Sequence, residues 1–169
     1  APPGVFSARR AFEALARLSP AELPRPVGSD EHQRFRERLR HELITLGIES
    51  ETTTRYVCGR YGACAEVTNL LARLPGARPE ALLLLAHYDS VPAGPGAADD
   101  GIGVASVLEI ARALRAAPPL RHTLLLLFTD GEELGLLGAR VFAREAPEAP
   151  SVVAAVNLEA RGTCGPSHL

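Results

Sequence analysis

Between residues 81 and 158, three short and mainly apolar runs alternate with two stretches of helical period, and this alternation narrows the fold more than any other feature. Ala81–Ala86, His122–Phe128 and Ser151–Leu158 read as strands buried on both faces, because apolar residues fill successive positions instead of alternating with polar ones. Ile102–Ala116 and Leu134–Glu145 read as the helices between them. Parallel strands need long crossover connections, which helices supply. Strand, helix, strand, helix, strand therefore predicts an α/β fold with a mainly parallel sheet covered by helices.

The upstream part adds to this core. Ser7–Leu18 reads as a short helix with Phe12, Leu15 and Leu18 on one face and Pro20 just beyond. Ser29 or Asp30 caps a second helix over Glu31–Leu46, where Phe35, Leu39, Leu43 and Leu46 form an apolar stripe and Gly47 ends it. Glu49–Val57 and Ala65–Leu74 read as strands joined by the turn from Cys58 to Cys64, and Pro75–Pro79 as a further turn. Residues 1–28 are thus a helix and loop leading into the domain, and residues 29–169 its N-terminal part. Cys58 and Cys64 either close a small disulfide loop in an oxidising compartment or stand as two unpaired thiols. Cys164 has no readable role. A net charge of -2, with 18 Arg and no Lys, leaves no basic footprint for nucleic acid. The longest apolar runs are too short to cross a bilayer.

The chemistry-bearing residues gather at strand ends. His87-Tyr88-Asp89-Ser90 follows the first buried run, Asp130-Gly131-Glu132-Glu133 the second and Asn157-Leu158-Glu159 the third, while Asp99-Asp100 opens the helix near Ile102. Carboxyl ends of parallel strands face one crevice, so these clusters converge if the fold is right. His87 and Asp89 are two apart and project to one side, where a carboxylate can hold the second ring nitrogen of a metal-binding His. Helix capping accounts for one of Asp99 and Asp100, whereas a pair suits a metal shared between two sites. Of Glu132 and Glu133, one can bind metal while the other handles a proton, and burial would raise the base toward neutrality. Each cluster alone also reads as a surface pair, a cap, a solvated helix start or a solvated strand end. Together they point to oxygen and nitrogen ligation of Zn²⁺, or of Mn²⁺ or Co²⁺.

The segments Ala86-His-Tyr-Asp-Ser-Val-Pro, Pro95-Gly-Ala-Ala-Asp-Asp-Gly, Thr129-Asp-Gly-Glu-Glu-Leu-Gly-Leu-Leu-Gly-Ala-Arg and Val156-Asn-Leu-Glu-Ala resemble the co-catalytic zinc aminopeptidase and carboxypeptidase family. The likeness runs from Arg25 to the end, and Pro26-Val-Gly-Ser and Asn157-Leu-Glu-Ala look most like its endoplasmic-reticulum metallopeptidase branch. It implies a phosphorylase/hydrolase-like α/β/α sandwich with a mixed sheet, here incomplete at the C-terminus. By motif, His87 and Glu159 bind one zinc and Asp89 orients His87. Asp99 bridges two zincs through a site with a cis bond to Asp100, Glu133 binds the second zinc, and Glu132 is the general base.

The family's last zinc ligand is a His further downstream than Leu169. His168 matches no motif position, and His32, His41 and His122 read as surface or packing residues. A complete domain would hold two zincs, and the chain as given is expected to be inactive alone. The implied activity is removal of N-terminal residues from peptides, outside the cytosol, with a membrane anchor in the full-length parent. One alternative is a glutaminyl cyclase-like acyltransferase, which has Asp-Ser where this chain has Asp99-Asp100 and an insertion where Leu134-Gly-Leu-Leu-Gly follows directly. The other is a non-catalytic interaction domain on a peptidase fold, although every ligand position covered here is filled.

Overall fold

Leu124, Leu126 and Phe128 face one side of a sheet and Leu125 and Leu127 the other, and all five are buried. In the computed structural model, which describes residues 1–59 and 62–160, they belong to a five-stranded mixed sheet. Its strands are β1 (Ser50–Cys58), β2 (Cys64–Leu74), β3 (Gly76–His87), β4 (Leu120–Thr129) and β5 (Val152–Asn157), in the order β1-β2-β4-β3-β5. β3 is parallel to both β4 and β5, and β2 is antiparallel to both β1 and β4. The helices are α1 (Ala8–Leu18), α2 (Asp30–Thr45), α3 (Ile102–Arg115) and α4 (Leu137–Glu145).

Apolar side chains fill the space between sheet and helices on both faces. On one face, Leu18, Phe35, Leu39 and Leu43 of α1 and α2, with Val104, Val107 and Leu108 of α3, pack on Leu84, Leu126 and Phe128. On the other, Phe142 of α4 meets Leu83, Leu125 and Leu127. The chain steps from β3 to β4 through α3, then crosses back through α4 to β5 on the far side of β3. Steps in opposite directions place their helices on opposite faces, which makes three layers. Among the described residues, no helix is long and apolar enough to cross a membrane.

Several expectations need correction. The anticipated turn over 75–79 is mostly strand, since β3 begins at Gly76; Pro79 is accommodated at a register shift between Arg78 and Ala81, where a ladder N–H is not required. Among the described residues β5 is not buried on both faces: it is the outermost strand of the described sheet, and Val153 and Val156 are 61% and 56% exposed. In α1 the inward face carries Ala11, Ala14 and Leu18, while Phe12 is exposed. α4 starts at Leu137 because residues 134–136 turn instead, with Gly135 and Leu136 at positive φ.

Cys58 and Cys64 pair across β1 and β2 and are joined as a disulfide, the first of the two alternatives. Ser29 caps α2 through His32 N–H. Cys164 and His168 lie outside the described residues.

Candidate metal centre

β3, β4 and β5 run parallel, so the residues that follow each of them emerge at one edge of the sheet. His87 ends β3 with its ring almost wholly buried. Its Nε2 lies 2.8 Å from Asp99 Oδ1 and 3.4 Å from Glu159 Oε1. One ligating atom from each of the three falls within 4.8 Å of the others. A tetrahedral zinc with bonds of roughly 2.0–2.2 Å holds its ligands about 3.3–3.6 Å apart. The His87–Glu159 spacing falls in this range, the His87–Asp99 spacing is shorter, and Asp99 and Glu159 lie within 4.8 Å of each other, so the three residues are close enough to share one ion. Glu159 is further tied by Asn157 Nδ2, which donates to Oε2 at 3.1 Å.

Asp89 lies beside His87, fully buried, with Oδ1 3.4 Å from the ring Nδ1, and that nitrogen has no hydrogen-bond partner among the described residues. The same carboxylate accepts the N–H of Glu132 at 3.1 Å and of Glu133 at 3.2 Å, one on each oxygen. One residue thus fastens the turn after β4 to the loop after β3. The carboxylates of Glu132 and Glu133 stand outside the three-residue cluster.

Asp99 and Asp100 divide the two tasks read from their sequence. The peptide bond between them is cis. Asp100 accepts Gly103 N–H at 3.1 Å, capping α3, while Asp99 faces His87. Asp130 holds the base of the next loop. Its Oδ1 meets His32 Nε2 at 2.7 Å, its Oδ2 accepts Thr68 N–H at 2.7 Å and Tyr88 O–H at 3.0 Å, and its own N–H donates to Asn69 Oδ1. His32 also stacks on the Tyr88 ring, as a packing residue would.

The electrostatics favour a cation. Burial by itself would push His87 down, but Asp89, Asp100 and Asp99 outweigh it and raise the ring to about 10. Burial raises Asp100 to about 7, against the pull of His87. For Asp89, burial pushes upward, yet His87 and the two backbone donors win and hold it below its ordinary range. Glu132 is raised by burial, helped by the Glu159 and Glu133 charges, and Glu133 is raised by burial and by Asp99. A divalent ion would relieve the same crowding of carboxylates.

Two parts of this arrangement escaped the sequence. Asp130 was visible only as a neighbour of Glu132, and its partners on α2 and β2 are remote in the chain. Arg25 stood in a Pro-flanked loop with no visible partner, yet it is fully buried against the His87 loop.

Residues 69–169 match Peptidase family M28. A vacuolar membrane protease of Eremothecium gossypii is 37% identical over 85% of this chain and 13% of its own length. Endoplasmic reticulum metallopeptidase 1 of Mus musculus is 30% identical over 96% of this chain and 20% of its own. Among solved structures, glutaminyl cyclase of Porphyromonas gingivalis superposes with a TM-score of 0.81 at 26% identity, covering 92% of this chain and 59% of that one. The chain thus spans about a fifth or less of those two curated relatives. With the match covering more than half of its residues, including all four clusters of chemistry-bearing residues, this chain belongs to peptidase family M28.

Proposed function

We propose that the chain forms the His87 side of a co-catalytic zinc centre in an exopeptidase, an aminopeptidase that hydrolyses N-terminal peptide bonds. The observation that carries this is the zinc-sized convergence of His87, Asp99 and Glu159. In this reading His87 and Glu159 would hold one ion, Glu133 a second, and Asp99 would serve both, so that a complete domain would take two zincs. Bound zinc supplies Lewis acidity toward a carbonyl oxygen and makes water a nucleophile near neutral pH.

The chain's own residues do the rest. Glu132, raised by burial, takes a proton from the attacking water and returns it to the leaving amine. Asp89 fixes the orientation of His87 and, through two backbone N–H groups, the position of Glu132. The names of the curated relatives support a membrane-anchored parent with this domain outside the cytosol, and the Cys58–Cys64 disulfide suits such a compartment.

Glutaminyl cyclase is the second reading, favoured by the superposition with the Porphyromonas gingivalis enzyme. The two separate in one assay on the full-length protein, offering an aminoacyl p-nitroanilide, its N-acetylated form and a peptide with N-terminal glutamine. Release of p-nitroaniline from the free-amine substrate alone, abolished by a chelator and restored by zinc, is the expected result. Ammonia released from the glutaminyl peptide, with no p-nitroaniline, would overturn it in favour of the cyclase.

A further inference from the structure

Arg25 lies between α1 and α2 and is fully buried. Its guanidinium makes three hydrogen bonds, all to main-chain carbonyls. Nε donates to Tyr88 O at 2.6 Å, Nη1 to Pro95 O, and Nη2 to Gly96 O at 2.8 Å. The backbone of the same residue pairs with Ser90 in both directions: Arg25 N–H donates to Ser90 Oγ at 2.9 Å, and Arg25 O accepts Ser90 N–H at 3.2 Å. Ser90 Oγ in turn lies 3.0 Å from Gly94 O. Every partner belongs to one of two loops, residues 88–90 directly after His87 or 94–96 shortly before Asp99. The guanidinium carbon also stands 4.3 Å over the Phe35 ring, which fixes the group from α2.

We propose that Arg25 is a positioning residue for the metal centre, a buried fork that clamps the His87 loop to the Asp99 loop and sets the spacing of those two ligands. An arginine suits the task because its planar donors reach carbonyls on separate loops at once, which a single ammonium does not. Burying a cation is costly, so a buried ion pair or cation is weak evidence for stability alone. Here Asp89 and Asp100 counter part of that cost, and the guanidinium supplies donors to three carbonyls that converge on it. Gly96 gives independent evidence of how tightly the clamp is built. It has a φ of +64°, and a Cβ there would lie 2.6 Å from Ser90 Cβ, 2.7 Å from Asp99 O and 2.9 Å from Arg25 Nη1. The loop seats against the fork so closely that only glycine fits.

This inference rests on the zinc reading above, and one experiment separates the two. Zinc affinity is measured by competition with a chelating chromophore in the full-length protein, together with the melting temperature in zinc-free buffer. The variants are Arg25→Lys, Gly96→Ala and, as a core control, Leu43→Ala, which is buried in α2. Arg25→Lys and Gly96→Ala are expected to weaken zinc binding about tenfold or more, the usual effect of losing a residue that orients ligands. Leu43→Ala lowers the melting temperature but keeps Kd within about twofold, because distant sites act independently. A folded Arg25→Lys protein with the parent's Kd overturns the inference and leaves the zinc centre standing. Should Arg25→Lys fail to fold, an unchanged Kd in Gly96→Ala overturns it equally. A parent that holds no zinc removes the centre itself, and the inference with it.

Discussion

Asp89 has two oxygens and three neighbours: the His87 ring and the amides of Glu132 and Glu133. Replacing it by Asn keeps the shape but turns one acceptor into a donor that faces an N–H. Asp89→Asn is therefore expected to weaken zinc binding by about 10–100-fold, since His87 loses its anionic neighbour and the Glu132 turn loses a tether. Glu132→Gln is expected to keep its zinc and lose about 10²–10⁴-fold in kcat, because only proton transfer is removed. Metal analysis and steady-state kinetics on the pair check this. Equal zinc loss in both variants, or near-normal turnover in Glu132→Gln, would show that the roles are assigned wrongly. At this scale much was legible, since His87, Asp89 and Glu159 stand as polar residues at the ends of apolar runs and Asp99 as one of a pair of acids opening a helix. Arg25 did not. Its partners are carbonyl groups, and a carbonyl leaves no mark on a sequence.

The elements were legible where pattern and environment agree. The spacing of Phe35, Leu39 and Leu43 gave α2 and its buried stripe, and Leu124–Phe128 gave the strand at the centre of the sheet. They were not legible where tertiary context decides. The apolar composition of β5 cannot say how much of it the described helices leave uncovered, and Pro79 reads as a turn unless the register shift beside it is known. α1 turns two alanines inward because it lies close against α3. A buried Glu109 on α3 fastens that packing, accepting Ser7 N–H and pairing with Arg10 and Arg112.

Burial pushes the Glu109 carboxyl up, but those donors outweigh it and hold it at about 2. A folded-state value below the ordinary one means that the contribution is fully present above roughly pH 4.5 and fades as pH falls toward about 2. Glu109→Gln is thus expected to cost about 1.5–3 kcal/mol near neutral pH, the range for hydrogen bonds to a charged group. Chemical denaturation at pH 7, 4 and 2.5 checks it: the gap between parent and variant should shrink on acidification. A gap that is constant across the series would contradict the ion-pair account.

Across the whole molecule, one topological fact brings the chemistry together. β3 lies between β4 and β5 with all three parallel, so loops far apart in sequence open at the same edge. α2 and β2 contribute from the side, through His32 and Thr68 on Asp130, and the α1–α2 loop contributes through Arg25. The loops that carry these clusters therefore open at one edge of the sheet, and the residues that fasten them bear no chemistry of their own. His87, Asp99 and Glu159 form the proposed metal site. The most direct measurement is zinc content by elemental analysis after exhaustive dialysis, for the parent, His87→Ala and Glu159→Ala. The account predicts zinc retained by the parent and lost from both variants while each remains folded by circular dichroism; a folded His87→Ala protein that keeps the parent's zinc would contradict it.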